Sequence, residues 1–458
     1  MYEDTTIAAI ATAPGAGGIG IIRLSGREAL RVAESVFRPA RGEIKNAEPY
    51  RMMYGHVADG ERIIDEGLFV YMKAPHSYTG EDVCEIQIHG SAEALRETLA
   101  LCFSHGAEPA AAGAFTERAF LNGRLDLAQA EAVMDIISAR GKTALRQAES
   151  HLAGALSGYV RGVRASLKDL ITKLEVTVDY PEEDIEDLTR DEIAGEVSEI
   201  VSSMETLLAR SETGRILREG LRTAIIGRPN AGKSSLLNAL LREDRAIVTD
   251  IPGTTRDTIE ETVNVGGATL VLMDTAGLRR TENEIEQIGI ERAKKSMETA
   301  DLILAVLDAS QPVSEEDKAI FRTLSGRRAI IILNKCDLEA LVSEKEIETE
   351  FPGIPVLTLS AKTGAGTEKL EAALTRIVET EDMETGRALL LTNMRHENLM
   401  RRAAAALSRA RDAAEAAVLA DCIAVDLTEA FTALGDITGE TVDDELIHSI
   451  FARFCVGK

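Results

Sequence analysis

The sequence predicts a multidomain chain: an N-terminal α+β domain, then an all-α helical domain interrupted by an inserted α/β domain. Three observations carry this. Short β-rich runs mix with helical stretches and Gly/Pro loops up to about residue 120, two separated regions consist of long amphipathic stretches free of proline, and between these regions lie five near-continuous apolar runs of the buried parallel-sheet kind. Each helical region has an apolar stripe that needs a partner, while the α/β stretch can fold alone. One helical domain carrying an insertion is therefore the economical arrangement. The expected bounds are 1–122, 123–215, 216–382 and 383–458, in keeping with a prior of roughly 150 residues per domain.

In the first region "TIAAIAT" and "GIGIIRLS" alternate as strands, and "REALRVAESVF" has helical spacing. Gly15, Gly17 and Gly20 spell G-x-G-x-x-G. A dinucleotide fingerprint must open a helix, whereas this one runs into a strand, so a glycine-rich hairpin turn is the better reading. The helical texture begins at "LDLAQAEAVMDII", continues to "LITKLEVTV", breaks at the acidic "DYPEEDIEDLTRDE", and returns after about Gly386. The runs "RTAIIG", "ATLVLMD", "LILAVLD", "RAIIILN" and "IPVLTLS" are the five strands of the doubly wound unit.

Four motifs follow such strands in order. "GRPNAGKSS" fits G-x-x-x-x-G-K-[ST] between a strand and a helix, so Asn230, Ala231, Gly232, Lys233, Ser234 and Ser235 are expected to wrap phosphates. Backbone N–H groups cradle them, Lys233 adds a positive charge at the β/γ-phosphates, and the Ser234 hydroxyl can ligate Mg²⁺. "DTAG" brings Asp274 near the metal and the Gly277 N–H to the γ-phosphate, with Thr275 and Ala276 between them. "NKCD", comprising Asn334, Lys335, Cys336 and Asp337, selects the base: Asp337 can accept from the two donors on one edge of guanine, and adenine would leave that carboxylate unpaired. Ser360, Ala361 and Lys362 would approach the guanine carbonyl through backbone N–H. "TDIPGTTRD" lies where a mobile effector loop belongs, so Thr249, Asp250, Ile251, Pro252, Gly253, Thr254 and Thr255 are further candidates, with Thr255 completing the Mg²⁺ shell and Thr254 facing the phosphates. Together these define a Ras-like P-loop GTPase domain with GTP as ligand. Leu278 stands where a Ras-type enzyme has its water-aligning glutamine, so that task must fall elsewhere.

The net charge of −25 disfavours broad polyanion binding and requires any nucleic-acid contact to use a local basic face or a partner. Arg395, Arg401, Arg402, Arg409 and Arg411 could meet phosphates, or form a solvated helix face. The five cysteines form no CxxC pair, which argues against a zinc ribbon and a disulfide framework. No run of eighteen apolar residues and no leader pattern occurs, so a cytoplasmic protein without a membrane partner is expected.

Beyond the GTPase motifs, "PGAGGIGIIRLSG", "SYTGEDVCEIQIHG", "AFTERAFLNGRLDLAQAEAVMDII" and the final "FCVGK" closely resemble the MnmE (TrmE) family of tRNA uridine-modifying GTPases over essentially the whole chain. The resemblance implies a homodimer that assembles as a heterotetramer with the flavoprotein MnmG (GidA). That assembly adds a carboxymethylaminomethyl or aminomethyl group at C5 of the wobble uridine of certain tRNAs, with FAD and NADH supplied through the partner. It implies a folate-binding N-terminal domain holding a 5-formyl- or methylene-tetrahydrofolate, with Arg23, Glu85, Arg124 and Lys458 around it. At Arg124 the family often has lysine; arginine keeps the charge and changes the geometry. The residues alone leave Arg23, Glu85 and Arg124 open as ordinary surface charges. The resemblance further implies that Cys455 is needed for modification, although it can equally be a small residue packed beside Phe454.

For the missing glutamine, the resemblance implies two substitutes. Potassium would sit in a cage of Asn230, Thr254 and the backbone carbonyls of Thr249 and Ile251, and Glu286 would align the water through a second water. Glu286 stands among Glu282, Glu284 and Glu291, any of which can be plain surface charge. The alternative is an Era- or Der-type GTPase acting in ribosome assembly. Such a chain would need an RNA-binding module after the GTPase unit, whereas this one returns to helices.

Overall fold

The fold is seen in a computed structural model, described over residues 5–179, 190–243, 261–273, 297–378, 389–416 and 418–458. By contact the chain divides into two compact units. One comprises Met1–Met134, His151–Ala194 and Ala406–Lys458, the other Asp135–Ser150 and Gly195–Ala405. The chain thus leaves the first unit for the α/β stretch and returns to it, as an interrupted helical domain requires.

The first unit opens with β1 (Ile7–Ile10), β2 (Gly17–Ser25), α1 (Ala29–Val36), β3 (Phe37–Pro39), β4 (Met53–Asp59), β5 (Arg62–Met72), β6 (Val83–Gly90), α2 (Ala92–Ser104), β7 (Glu108–Pro109) and α3 (Ala114–Leu121). The seven strands form one sheet in the order β3-β4-β5-β6-β2-β1-β7, antiparallel except where β1 meets β7. Gly15, Gly17 and Gly20 fall in and after the β1–β2 connection, so the glycine run serves a hairpin. Ile22, Leu24, Val32, Val36, Phe37, Phe69, Ile86 and Cys102 pack between this sheet and its helices.

Helices α4 (Leu127–Ser138), α5 (Lys142–Leu152), α6 (Ala155–Asp179), α7 (Arg190–Leu208) and α8 (Ser211–Glu219) follow. The second unit continues with β8 (Leu221–Ile226), α9 (Lys233–Glu243), β9 (Glu261–Val265), β10 (Ala268–Leu272), β11 (Leu302–Asp308), α10 (Glu315–Arg322), β12 (Ala329–Asn334), α11 (Glu344–Glu350), β13 (Val356–Thr358) and α12 (Thr367–Val378). Its sheet has the order β13-β12-β11-β8-β10-β9, parallel except for the β9–β10 hairpin. β11 and β12 are buried at every residue, which is why they read as unbroken apolar runs. β9, "ETVNV", was not among the five expected strands. It is an edge strand with partial, alternating burial, and the Gly266-Gly267 turn, with both φ positive, joins it to β10.

The chain ends with α13 (Met394–Glu415), α14 (Ala420–Thr438) and α15 (Asp444–Phe451). Within the first unit α14 packs on α6. There the Arg164 guanidinium lies 4.1 Å from the Phe431 ring centroid, donates to the Phe431 carbonyl at 3.2 Å and pairs with Glu440. A separate apolar cluster joins Leu127 and Ala130 of α4 to Ile447 and Phe451 of α15 and to Phe454. From it the last residues run back to the N-terminal sheet: Ala112 bridges Val456, and the N–H of Phe115 donates to the Lys458 carbonyl at 3.2 Å. Gly457 has φ +91°, and a Cβ there would stand 2.4 Å from the Ile10 carbonyl oxygen, so only glycine lets the tail lie this close to β1. No described helix is long and apolar enough to cross a membrane.

Candidate functional site

In the second unit, the chain turns from β8 into α9 at the point where the strand order reverses, the place where open α/β sheets bind ligands. Gly227 has φ +146°, with the Val306 carbonyl oxygen 2.3 Å from where a Cβ would be. Gly232 has φ +100°, with Asn334 Nδ2 2.0 Å from the same position. Both glycines are therefore fixed by conformation and by space. Asn230 also has positive φ, 63°, which asparagine tolerates better than most residues. Lys233 Nζ donates to the carbonyls of Gly227 at 2.8 Å and Arg228 at 2.7 Å, using two of its three donors. Burial holds its ammonium below the usual lysine pKa. Ser234 and Ser235 sit in the first turn of α9, the end of a helix at which backbone N–H groups can meet an anion. Arg228 ties the loop to α10 through Glu316 at 2.9 Å and Asp317 at 3.3 Å.

Asn334 closes β12 and is 2 % exposed. Its Nδ2 donates to the Ala231 carbonyl at 2.9 Å and its Oδ1 accepts from the Ala361 N–H at 3.0 Å, so one side chain joins the phosphate loop to the base loop. Lys335, at φ +68°, places Nζ 2.6 Å from Asp308 Oδ2. Burial alone would push the Asp308 carboxyl up, but bonds from Lys335 and from the hydroxyl and N–H of Ser310 outweigh it and hold it below the usual range. Asp337 Oδ1 accepts from Ser360 Oγ at 2.6 Å, and that bond, aided by the charges of Lys362 and Lys335, keeps it ionised to lower pH than usual. Cys336 is half-buried, with its N–H on the Leu359 carbonyl at 3.3 Å. Of residues 360–362, Ser360 gives its N–H to the Ala365 carbonyl at 2.8 Å and Ala361 gives its own to Asn334 Oδ1 at 3.0 Å. Asp308 escaped the sequence reading because nothing in "LILAVLD" marks its last residue as the support of a lysine 27 positions on.

Thr249, Asp250, Ile251, Pro252, Gly253, Thr254, Thr255, Asp274, Thr275, Ala276, Gly277, Leu278 and Glu286 lie outside the described residues.

A second cluster forms in the first unit. Arg23 Nε and Glu85 Oε1, opposite each other on β2 and β6, are 2.9 Å apart, and an Arg23 Nη1–H donates to the Gly457 carbonyl at 3.2 Å. The Arg23 guanidinium lies 5.5 Å and that of Arg124 5.1 Å from the Tyr78 ring centroid. Tyr78 is held by its hydroxyl on Thr116 at 2.9 Å, and its carbonyl accepts from Arg124 at 3.0 Å. Burial, then the nearby Arg23 charge, push the Lys458 ammonium below its usual pKa despite Glu85 and Cys455. Arg23 thus faces Glu85 and the Tyr78 and Phe115 rings, Arg124 lies on Tyr78, and Lys458 is close to Arg23 and Glu85. Tyr78 was missed as a member, although "SYTGEDV" carries it. Cys455 is exposed, whereas its neighbour Phe454 is buried. Among the α13 arginines, Arg401 pairs with Glu397, Arg409 with Asp426 and Glu429, and Arg411 with Asp412, as a solvated helix face does.

The sheet order, the glycine loop and the Asn334–Asp337 corner define a P-loop domain of the Ras-like GTPase class. A family model described as the MnmE helical domain matches residues 127–455, and one described as the GTP-binding protein TrmE N-terminus matches residues 6–124. The tRNA modification GTPase MnmE of Clostridioides difficile (strain 630) is 45% identical over 461 residues, and that of Alkaliphilus metalliredigens (strain QYMF) 46% over 461 residues, each covering 100% of both chains. Among solved structures, the G domain of the T. maritima FeoB iron transporter aligns with 35% of this chain and 99% of its own at 28% identity, with a TM-score of 0.26, too low to bear on the fold. The chain belongs to the MnmE family.

Gly232→Ala should combine the cost of left-handed backbone with displacement of Asn334, together about 2–4 kcal/mol. Urea unfolding of the nucleotide-free chain should read this as a loss of stability of that size. Unchanged stability would show that the contact with Asn334 is not needed.

Proposed function

We propose that this protein hydrolyses GTP and couples the hydrolysis to modification of the wobble uridine of certain tRNAs. It would act as a homodimer in a heterotetramer with MnmG, in the cytoplasm, with FAD and NADH entering through the partner. The observation that carries the GTPase reading is Asn334, which fastens a phosphate loop to a guanine-selecting corner within a chain of the MnmE family. The domain bounds 1–122, 123–215, 216–382 and 383–458 belong to the same proposal.

Mg²⁺ would be held by Ser234 and Thr255. Ser234 suits this role because it opens α9 beside Lys233, where an oxygen ligand and the helix N-terminus meet the same phosphates. Potassium would be held by Asn230, Thr254 and the carbonyls of Thr249 and Ile251, supplying positive charge beside the β/γ-phosphates. The positive φ of Asn230, inside the phosphate loop, suits a side chain turned back on that loop. Lys233 has a donor left for the phosphates, and its low-dielectric setting strengthens that contact. Glu286 would align the water in place of the glutamine absent at Leu278. Around the folate, Arg23, Arg124 and Lys458 outnumber Glu85, and Tyr78 offers a flat face. This chemistry fits an anionic, ring-bearing tetrahydrofolate. Exposed Cys455 lies next to this cluster along the tail and is available for the modification reaction.

GTP turnover should be at least about tenfold faster in potassium than in sodium, and Glu286→Ala should lower it by about 10²-fold or more. Equal rates in both salts would remove the cation from the mechanism. Arg23→Ala should weaken tetrahydrofolate binding in an equilibrium titration by about 10- to 100-fold, the effect of one charge-assisted hydrogen bond. Wild-type affinity in that variant would place the folate elsewhere.

A further inference from the structure

The second unit holds a cavity of about 590 Å³ lying between α12 and the starts of β12 and β13. Strands β12 and β13 run parallel, and their far ends carry Asn334 and the loop to Ser360. The cavity is therefore at the end of the sheet opposite the nucleotide loops and shares no residue with them. Its origin is local. Lys369 and Arg376 are seven residues apart on one face of α12, and Ala372 and Ala373 between them are too small to fill the space against Ile330 and Leu357. Arg327 and Arg328, just before β12, complete the rim.

Four cations line this hollow and no carboxylate does, in a chain with net charge −25. On α13 the arginines are drawn onto acids at 2.6–2.9 Å. Here the ion pairs are longer: Arg328 is 3.5 Å from Glu212 and Lys369 is 4.0 Å from Glu344. Among the described residues Arg327 donates to the Met297 carbonyl at 2.5 Å, and neither it nor Arg376 has an ion pair. Weak pairs of this kind are readily given up to a better anion. Guanidinium groups favour phosphate oxygens, the volume lies within the roughly 300–1,000 Å³ range of ligand pockets, and an apolar floor accepts a sugar or base.

We infer that this cavity is a second anion site, distinct from the GTP site, that binds a phosphate ester. The phosphate sits among Arg327, Arg328, Lys369 and Arg376, and the organic part lies on Ile330 and Leu357. The ester comes either from a free nucleotide or from the backbone of an RNA strand.

The test is calorimetric titration of inorganic pyrophosphate into the full chain already saturated with GDP and Mg²⁺. The wild type should bind one further equivalent. The Arg327→Glu/Arg376→Glu variant should bind it at least about tenfold more weakly, and so should Ala373→Phe, which fills the hollow and keeps every cation. Both should retain wild-type GDP affinity and GTP turnover, which reports that they fold. No further equivalent in the wild type, or equal affinity in both variants, overturns the site. A tRNA transcript titrated across a salt series then distinguishes the sources. Where pyrophosphate binding is lost, a salt slope reduced by about two in the double variant assigns the site to RNA backbone, and an unchanged slope assigns it to a free phosphate compound; both outcomes support it.

Discussion

The buried amide of Asn334 is the contact on which the nucleotide end of the α/β unit depends. Its Nδ2 reaches the Ala231 carbonyl and its Oδ1 takes the Ala361 N–H. Two loops more than a hundred residues apart are thereby held at fixed separation by one rigid planar group. Each of these bonds, if left unmade in a buried place, would cost about 1–3 kcal/mol. The absence of a Cβ at Gly232 follows from this contact, since Asn334 Nδ2 stands 2.0 Å from where that carbon would be. Lys335 and Asp337, its neighbours in sequence, are fixed from outside the motif by Asp308 and Ser360. Phosphate recognition and base recognition are thus parts of one hydrogen-bonded assembly.

The sequence was most legible where a local rule suffices. Strands β11 and β12 announce themselves because burial on both faces forces unbroken apolar runs, and the phosphate loop because φ > 0 and close approach force glycine. β9 lacked that signal because an edge strand buries only alternate residues, and "ETVNV" resembles a loop until the Gly-Gly turn is seen to pair it. The long helical textures were readable as helices by spacing, but not as partners. The Arg164–Phe431 stacking spans 267 residues and the Arg23–Gly457 bond 434, distances at which periodicity carries no information. Tyr78 was hidden for a related reason: its place between Arg23 and Arg124 arises only when β2, α3 and the tail come together.

Charge gives the molecule a second level of order. Many cations among the described residues are taken up by neighbouring carboxylates, as Arg401, Arg409 and Arg411 are on α13. Exceptions stand out because the background is so negative. Arg23 pairs with Glu85 and lies over Tyr78, Arg124 lies over the same ring, and Lys458 is held below its usual pKa first by burial and then by the Arg23 charge. A surplus of positive charge beside an aromatic face, built from three distant parts of the chain, is expensive to assemble without an anion to meet it.

The most direct test of the central claim is amide hydrogen exchange on the nucleotide-free chain carrying Asn334→Ala. If this side chain joins the two loops, exchange should speed up together in residues 227–235 and 359–364, while β8 and β11 keep their protection. Faster exchange confined to 359–364, with the phosphate loop unchanged, would mean that the loops are held independently and would contradict the account.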